Sequence, residues 1–255
     1  MDSQPNLEKT ANLLLEISSM LMVSGANTNR ANLSITRFAS VLNYKAFSMV
    51  SHKTIVMTLT DEKTGESYTK VQNIPPYIIN FSTISAISKA SWNTIEQNWT
   101  IEQIEEEINK IKNKKRYSKI VVLTAVSFAG AGFCNIFGGD YTNMLIAFLS
   151  TFIGLFAVQQ AHKRNFNVYI RILLGSFIAS SLASLGVIYN IGENPQTALA
   201  TSILFLVPGV ALINSFTDLF DNNVLNGVVR FTTGLITVLA IALGLFTAMV
   251  IFQLN

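Results

Sequence analysis

A basic segment runs directly into a long apolar one near the middle of the chain, and this junction decides the fold. Residues 110–137 read KIKNKKRYSKIVVLTAVSFAGAGFCNIF, with six lysines or arginines in the first ten residues and none in the next eighteen. A helix needs about 20 apolar residues to cross a bilayer core, and flanking cations mark its cytoplasmic side. The stretch therefore predicts a membrane-spanning helix entered from a cytoplasmic domain.

The charges of the chain are concentrated before this junction. Residues 1–119 hold 14 of the 18 Lys and Arg and 11 of the 15 Asp and Glu, and the whole chain is only 13% charged. Soluble domains carry about 25% charged residues. We therefore predict a membrane protein with a cytoplasmic α+β domain over residues 1–117 and an all-α transmembrane domain over residues 118–255. The net charge of +3 is too small and too scattered to indicate nucleic-acid binding.

The apolar runs continue from residue 120 to the C-terminus, separated by short polar breaks. Lysine and arginine stand before the first run and at the second and fourth breaks, and the first and third breaks hold none. The positive-inside rule then predicts a five-helix bundle with the N-terminus in the cytoplasm and the C-terminus outside. Small residues at helix-packing spacing within the third and fifth runs favour close helix packing over a pore lining. The predicted spans are 120–137, 143–161, 168–189, 198–216 and 228–254.

The soluble part predicts helices on both sides of a strand meander. Segments with apolar residues at helical spacing stand before and after a region in which apolar and polar residues alternate, a pattern typical of strands. Thr100 and Gln103 form the pattern of a capping box at the start of the last soluble helix. The predicted helices are 7–23, 28–42, 80–97 and 101–115, and the predicted strands are 46–50, 54–60 and 66–71.

The fourth apolar run contains Pro208-Gly209 near its middle. Proline removes a backbone donor and glycine relaxes the chain, so a helix unwinds easily here. Transporters use such breaks, because a half-helix N-terminus that faces a cavity binds an anionic group. The alternative is a kink with no function.

Ionisable and amide side chains follow this break. Asn214 and Asp218 are four residues apart and share a helix face, and Arg230 opens the next run at the same predicted depth. An Asp218–Arg230 pair has two interpretations, a cytoplasmic gate or proton-linked switch and a static interfacial salt bridge. Arg171, one turn inside the third run, either snorkels to the interface or binds a substrate carboxylate.

The chain lacks the short motifs of common enzymes. It has no phosphate-binding glycine loop, no GxSxG and no HExxH, and it holds a single cysteine, Cys134. Ser51-His52 is a candidate hydrolase pair, but neighbours on a strand point to opposite faces, which favours turn residues. We therefore expect a protein that is not an enzyme and that needs no metal or cofactor.

At these residues the chain resembles the threonine/serine exporter family. The resemblance is carried by Pro208-Gly209, Asn214, Asp218-Leu219, Gly227 and Arg230, by Phe137-Gly138-Gly139, and by the early run Ser24-Gly25-Ala26-Asn27-Thr28-Asn29-Arg30. It implies a cytoplasmic α+β domain and a five-span module that exports small amino or carboxylic acids with proton-motive coupling across the bacterial cytoplasmic (inner) membrane. A functional role for Gly25, Thr28, Arg30, Gly138 and Gly139 is implied by the resemblance alone.

The length of the chain adds an expectation about its partners. Single-chain members of this family carry a second membrane module, whereas this chain stops at Asn255. It therefore resembles the split, two-component form, which is associated with dicarboxylate (succinate-type) as well as threonine/serine export. The resemblance implies a second membrane subunit of four or five spans, a homo- or hetero-oligomer, and a small carboxylate or amino-acid substrate.

Two other hypotheses stay open from the sequence. The chain is a non-catalytic membrane scaffold whose soluble domain binds another protein, or, on the weaker basis of Ser51-His52, a membrane-anchored hydrolase. Export that persists without this chain would favour the scaffold. Ester or peptide hydrolysis by residues 1–115 would favour the hydrolase.

Overall fold

The structure of the protein is a computed structural model that describes residues 3–51 and 53–254. The chain forms two compact units, and neither is continuous in sequence. The first comprises Met1–Lys115 and Val210–Phe231, and the second comprises Arg116–Gly209 and Thr232–Asn255. The sequence predicted one boundary, after residue 117; the structure in addition places residues 210–231 with the N-terminal part of the chain.

The first unit is an α+β arrangement of four helices, a three-stranded sheet and the segment Val210–Phe231. The predicted elements are present, with shifts of a few residues at their ends. Helix α4 ends three residues earlier than predicted, because Asn113 caps it. The elements of residues 3–115 are α1 (Ser3–Ser24), α2 (Thr28–Val41), β1 (Tyr44–Val50), β2 (Thr54–Asp61), β3 (Ser67–Asn73), α3 (Phe81–Gln97) and α4 (Ile101–Lys112).

The sheet is an antiparallel meander in the order β1-β2-β3. Val50 pairs with Ile55 across the first turn, and Thr60 pairs with Ser67 across the second. The side chains of Ile55, Met57 and Leu59 are fully buried on one face of β2, as their alternation predicts. This face packs on α1 within the core of the first unit.

Two helices flank the sheet core with the faces that the sequence predicts. Leu14, Ile17 and Leu21 of α1 are fully buried. Helix α4 begins with the predicted capping box, in which Thr100 and Gln103 each bind the backbone of the other. Four isoleucines of α4 are buried on one face, at positions 101, 104, 108 and 111.

The helices of the C-terminal half are long and apolar. Four described helices are each long and apolar enough to cross a membrane, and a fifth span results if a broken pair counts as one. The predicted number of spans therefore agrees with the helices, whereas the N-in/C-out orientation stays a prediction. The helices are α5 (Lys119–Ile136), α6 (Tyr141–Lys163), α7 (Val168–Ile188), α8 (Pro195–Ser202), α9 (Gly209–Phe220) and α10 (Val224–Ile251).

The fourth predicted span is the broken one. Helix α8 ends at Ser202, a 3-10 turn covers Leu204–Leu206, and α9 starts at Gly209. Val207 between them is extended, with φ −61° and ψ 125°. The residue before a proline avoids the helical region, and Pro208 has no N–H to donate, so the helix cannot continue. The span predicted over 198–216 as one run is therefore two short helices that begin at 195 and end at 220.

Small residues set the helix spacing of the second unit. A Cβ atom built on Gly154 would lie 2.8 Å from Ala179 Cβ, and one on Gly244 would lie 2.5 Å from the Leu173 carbonyl oxygen. The predicted stripes of α7 are buried at both Ala179 and Ser180. Close backbone approach at small residues is how helices associate where the hydrophobic effect offers no drive between them.

Candidate functional site

The connection between α1 and α2 presents backbone carbonyls inside the first unit. Gly25 adopts φ +95°, a conformation that favours glycine, and ends α1. Ser24 and Val23 accept hydrogen bonds from the Asn80 and Ile78 N–H groups, which hold the segment after β3 alongside this turn. The carbonyls of Gly25 and Ala26 are thereby left for side chains from elsewhere in the unit.

Those side chains come from α9 and the start of α10. Asn214 and Asp218 lie one turn apart on α9, and Asn226 and Arg230 lie one turn apart on α10. A Cβ atom on Gly227 would lie 2.6 Å from Leu219 Cγ and 3.0 Å from the Ser215 carbonyl oxygen. The absence of a side chain at Gly227 therefore lets the two helices approach closely, so that their polar residues meet.

Asp218 lies at the centre of this arrangement and is fully buried. Its Oδ1 accepts the Thr28 backbone N–H at 2.8 Å, and its Oδ2 lies 3.0 Å from Arg230 Nε. Thr28 is the first residue of α2, so the carboxylate occupies the N-terminus of a 14-residue helix, where the helix dipole favours a negative charge. The predicted Asp218–Arg230 pair is present, and it is a buried one.

Three further side chains complete the set. Arg230 Nη2 donates to the Ala26 carbonyl at 2.9 Å, and Asn214 Nδ2 donates to the Gly25 carbonyl at 2.8 Å. Asn226 Nδ2 donates to Thr28 Oγ1 at 3.0 Å and to the Val50 carbonyl at 2.6 Å. We call the side chains of Asp218, Arg230, Asn214, Asn226 and Thr28, with the carbonyls of Gly25 and Ala26, the Asp218 cluster.

Tyr77 covers the turn at Gly25. Its hydroxyl oxygen lies 3.2 Å from the position of a Cβ atom built on that glycine. Burial raises the pKa of the Tyr77 phenol, and the positive charge of Arg230 opposes this rise. The phenol is therefore protonated at neutral pH.

The structure brings together some of the residues singled out from the sequence. Asn214, Asp218 and Arg230 meet, and Gly25 and Thr28 from the early motif join them. Asn226, Tyr77 and the Ala26 and Val50 carbonyls were missed by the sequence analysis. The one-turn spacing of Asn226 and Arg230, which repeats that of Asn214 and Asp218, was a signal that could have found Asn226.

The other residues singled out lie elsewhere. Arg30 belongs to the first turn of α2, and its Nε donates to Ser88 Oγ at 3.1 Å. Gly138 turns the chain after α5 with φ +86°, and a Cβ atom on Gly139 would lie 2.5 Å from Cys134 Sγ. Both positions in the turn between α5 and α6 therefore require glycine for steric reasons.

Arg171 and Pro208-Gly209 belong to the second unit. Arg171 Nη1 is bound to His162 Nδ1, and its Nε is buried without a hydrogen-bond partner among the described residues. Gly175, one turn further along α7, packs most closely on Val158, whose Cγ2 would clash with a Cβ atom there; Leu206 Cδ1 would lie 3.7 Å from that atom. A buried arginine donor without a partner is suited to a carboxylate.

The remaining candidates gain no support from geometry. Ser51 lies in the turn between β1 and β2, where its N–H donates to the Thr54 carbonyl, and His52 lies outside the described residues. Among the residues that the structure describes, no three His, Cys, Asp or Glu side chains are grouped to hold a metal ion.

The Asp218 cluster is built around one buried negative charge. That carboxylate is stable because two sources of positive potential, Arg230 and the α2 N-terminus, compensate it. A second carboxylate on Arg230 would compete for that compensation. The same contacts equally suit a static salt bridge that holds α2, α9 and α10 together.

Comparison with known proteins assigns the family. Residues 12–252 match the family model of ThrE, described as "Putative threonine/serine exporter". The chain is 24% identical over 245 residues to the "Probable succinate transporter subunit YjjP" of Klebsiella aerogenes, covering 95% of this chain and 94% of that protein. It is 23% identical, with the same coverage, to the protein of that name from Escherichia coli K12. No solved structure matches the chain. The chain belongs to the ThrE family of multi-pass membrane exporters.

Proposed function

We propose that this chain is one subunit of a secondary exporter of small amino acids or dicarboxylates. Its family and the relatives named as succinate transporter subunits support this proposal. The single observation that carries a transport role for this chain is the buried Asp218–Arg230 pair. Buried ionisable pairs are costly to maintain and are often found at functional sites.

The proposed setting is the bacterial cytoplasmic membrane. The soluble domain of residues 1–117 faces the cytoplasm, and five spans within residues 118–255 leave the C-terminus outside. The distribution of lysine and arginine supports this orientation. A second membrane subunit of four or five spans completes the transporter, as the word "subunit" in the relatives' names suggests.

In this proposal the substrate binds at the break in the fourth span. Arg171 Nε, which is buried without a hydrogen-bond partner among the described residues, binds its carboxylate. The Val207 and Gly209 N–H groups donate to the Leu204 and Val207 carbonyls, and the break at Pro208-Gly209 leaves open space around the Gly209 Cα atom. These features suit a small anionic group.

The Asp218 cluster is the proposed coupling element, on the cytoplasmic side. Proton-motive-force coupling requires a group that exchanges a proton while its surroundings change. When Asp218 is protonated, its ion pair with Arg230 and its interaction with the α2 N-terminus both weaken. The hydrogen bonds that Asn214, Arg230 and Thr28 form between the α1–α2 connection, α9 and α10 are then free to rearrange. In this proposal that rearrangement opens or closes a gate.

A counterflow screen tests the exporter proposal directly. The full chain and its membrane partner are reconstituted into vesicles preloaded with unlabelled substrate, and uptake of labelled succinate, threonine or serine is measured. We expect uptake of one class that needs both proteins and changes with an imposed pH gradient. Full activity of the partner alone would refute a transport role and favour a scaffold. Activity without any dependence on the pH gradient would refute proton coupling.

A further inference from the structure

A polar groove lies between α2 and α3 of the first unit, apart from the Asp218 cluster. It has a volume of about 390 Å³ and includes Arg30 and Arg37, with Asn27, Asn29, Ser88 and Trp92. Leu33 and Trp92 give it an apolar wall and are about half exposed, at 47% and 51%. Its size suits a small organic molecule rather than an ion alone.

Two arginines of the groove share one face of α2. Arg30 and Arg37 are seven residues apart, two helical turns or about 10.5 Å along the axis. Their guanidinium groups are held in place by α3: Arg30 Nε donates to Ser88 Oγ at 3.1 Å, and the Arg37 guanidinium lies 3.8 Å above the Trp92 ring. Both groups therefore keep donors in a fixed orientation with little rotamer freedom left to lose.

The positive charge of the groove is not compensated by the protein. Within residues 3–51 and 53–254, no ion pair joins Arg30 or Arg37 to an acidic side chain. The described residues that line the groove include no Asp or Glu. Helix α2 itself contains two cations and no acid. Arginine forks bind carboxylates and phosphates through two parallel hydrogen bonds.

We infer that this groove is a binding site for a small dicarboxylate, with one carboxylate on Arg30 and the other on Arg37. Asn27 and Asn29 add amide groups beside Arg30, and Leu33 with Trp92 packs against the carbon chain. An amino acid does not fit, because its ammonium group would meet two guanidinium groups and no carboxylate. A monocarboxylate uses only one of the two arginines.

This site goes beyond the proposed transport function, although the choice of a dicarboxylate accords with it. The groove lies on the soluble domain, and none of its side chains contributes to the Asp218 cluster. Thr28, whose N–H binds Asp218, stands between Asn27 and Asn29 in the same first turn of α2. A ligand on Arg30 therefore binds within one turn of the helix end that holds Asp218, which suits a site that senses the dicarboxylate.

Ligand binding by the purified full-length chain in nanodiscs tests the inference without transport. Calorimetric titration with succinate, acetate, threonine and inorganic phosphate is paired with tryptophan fluorescence in a Trp99→Phe background, which leaves the signal of Trp92. We expect saturable succinate binding with a change in fluorescence. Acetate, threonine and phosphate should each bind about tenfold more weakly than succinate, or more weakly still. Each lost charge-assisted contact corresponds to about a tenfold change in Kd.

Variants then locate the site. Arg30→Gln and Arg37→Gln should each weaken succinate binding about tenfold or more, and Lys89→Gln, which removes the same charge from α3 outside the groove, should leave it unchanged. Arg37→Lys keeps the positive charge but loses the planar guanidinium that binds a carboxylate through two hydrogen bonds. It replaces Arg37→Gln as the test if Arg37→Gln does not fold. Absence of succinate binding, tighter binding of phosphate or threonine, or equal effects of Lys89→Gln would overturn the inference. Export that survives in variants unable to bind succinate would leave the transport proposal intact.

Discussion

Asp218 is a fully buried carboxylate whose two oxygens are bound by different parts of the first unit. One oxygen accepts the first N–H of α2, and the other lies beside the Arg230 guanidinium. Taking both charges out of water costs several kcal/mol per ion, which the pairing and the hydrogen bonds offset. Loss of either partner therefore leaves an uncompensated charge in a place that water does not reach.

The stability of single and double variants measures this compensation. Asp218→Asn and Arg230→Gln should each lower the free energy of unfolding by about 3–5 kcal/mol, because each removes one member of a buried ion pair. The double variant should lose much less than the sum of the two. Unfolding of the full chain in detergent measures these differences, with Asp221→Asn, an exposed carboxylate three residues away, as the control. A single variant as stable as Asp221→Asn would contradict the interpretation.

Alanine substitution of two glycines tests whether the contact with Tyr77 adds to the backbone requirement for glycine at Gly25. Both Gly25 and Gly65 have positive φ, at +95° and +72°, but only Gly25 has the Tyr77 hydroxyl against it. Replacement of either by alanine should cost about 1 kcal/mol or more of stability through backbone strain. Gly25→Ala should cost more than Gly65→Ala in thermal unfolding, since Tyr77 must also move. Equal losses would show that the contact with Tyr77 contributes nothing.

At the scale of elements, helical spacing was enough to place Asn214 and Asp218 on one face, and Pro208-Gly209 indicated where a helix unwinds easily. Helical spacing could not predict what these side chains contact. Thr28 and Asp218 are 190 residues apart, and the carbonyls of Gly25 and Ala26 carry no signature in a sequence. Asn226 was missed for the same reason, because an amide near a helix start is usually solvated.

The pairing of α9 with α10 depends on Gly227. A methyl group there meets Leu219 and the Ser215 carbonyl, so Gly227→Ala should push the helices apart and separate Arg230 from Asp218. Gly132 is the matched control, because it lies inside α5 with open space around it. Gly132→Ala should be neutral or should stabilise by up to about 1 kcal/mol through helix propensity. A thermal unfolding curve for Gly227→Ala that matches that of Gly132→Ala would contradict the close approach.

At the scale of the whole molecule, hydropathy predicted four long apolar helices and a fifth apolar run that is a broken pair of helices, and the pattern of residues 1–115 predicted their α+β character. They could not predict that residues 210–231 join the first compact unit, because that depends on side-chain contacts formed only after folding. Hydropathy alone also gave the fourth run as one span, and only Pro208-Gly209 indicated that it consists of two short helices. Composition shows whether a segment suits water, lipid or a protein core, whereas specific side-chain contacts decide where in the fold it packs.

The predicted orientation is tested by the labelling of single cysteines in intact cells. With Cys134→Ala as background, Glu193→Cys lies in the α7–α8 turn and Lys163→Cys lies at the end of α6; both positions are exposed. The N-in/C-out topology predicts that a membrane-impermeant thiol reagent modifies Glu193→Cys, and that it reaches Lys163→Cys only after the cells are opened. The opposite labelling pattern would show that the topology is inverted, with the soluble domain outside the cell.

In the proposed function the buried Asp218–Arg230 pair works in export and is not merely a structural salt bridge. The variant that carries both Asp218→Asn and Arg230→Gln separates these roles, because it removes both charges together and leaves neither unpaired. Efflux of labelled succinate or threonine is measured from vesicles that hold this variant and its membrane partner, with Asp221→Asn as the control. We predict a folded, vesicle-inserted protein whose efflux falls to background, while the control exports normally. Efflux at the wild-type rate from the folded double variant would contradict the claim.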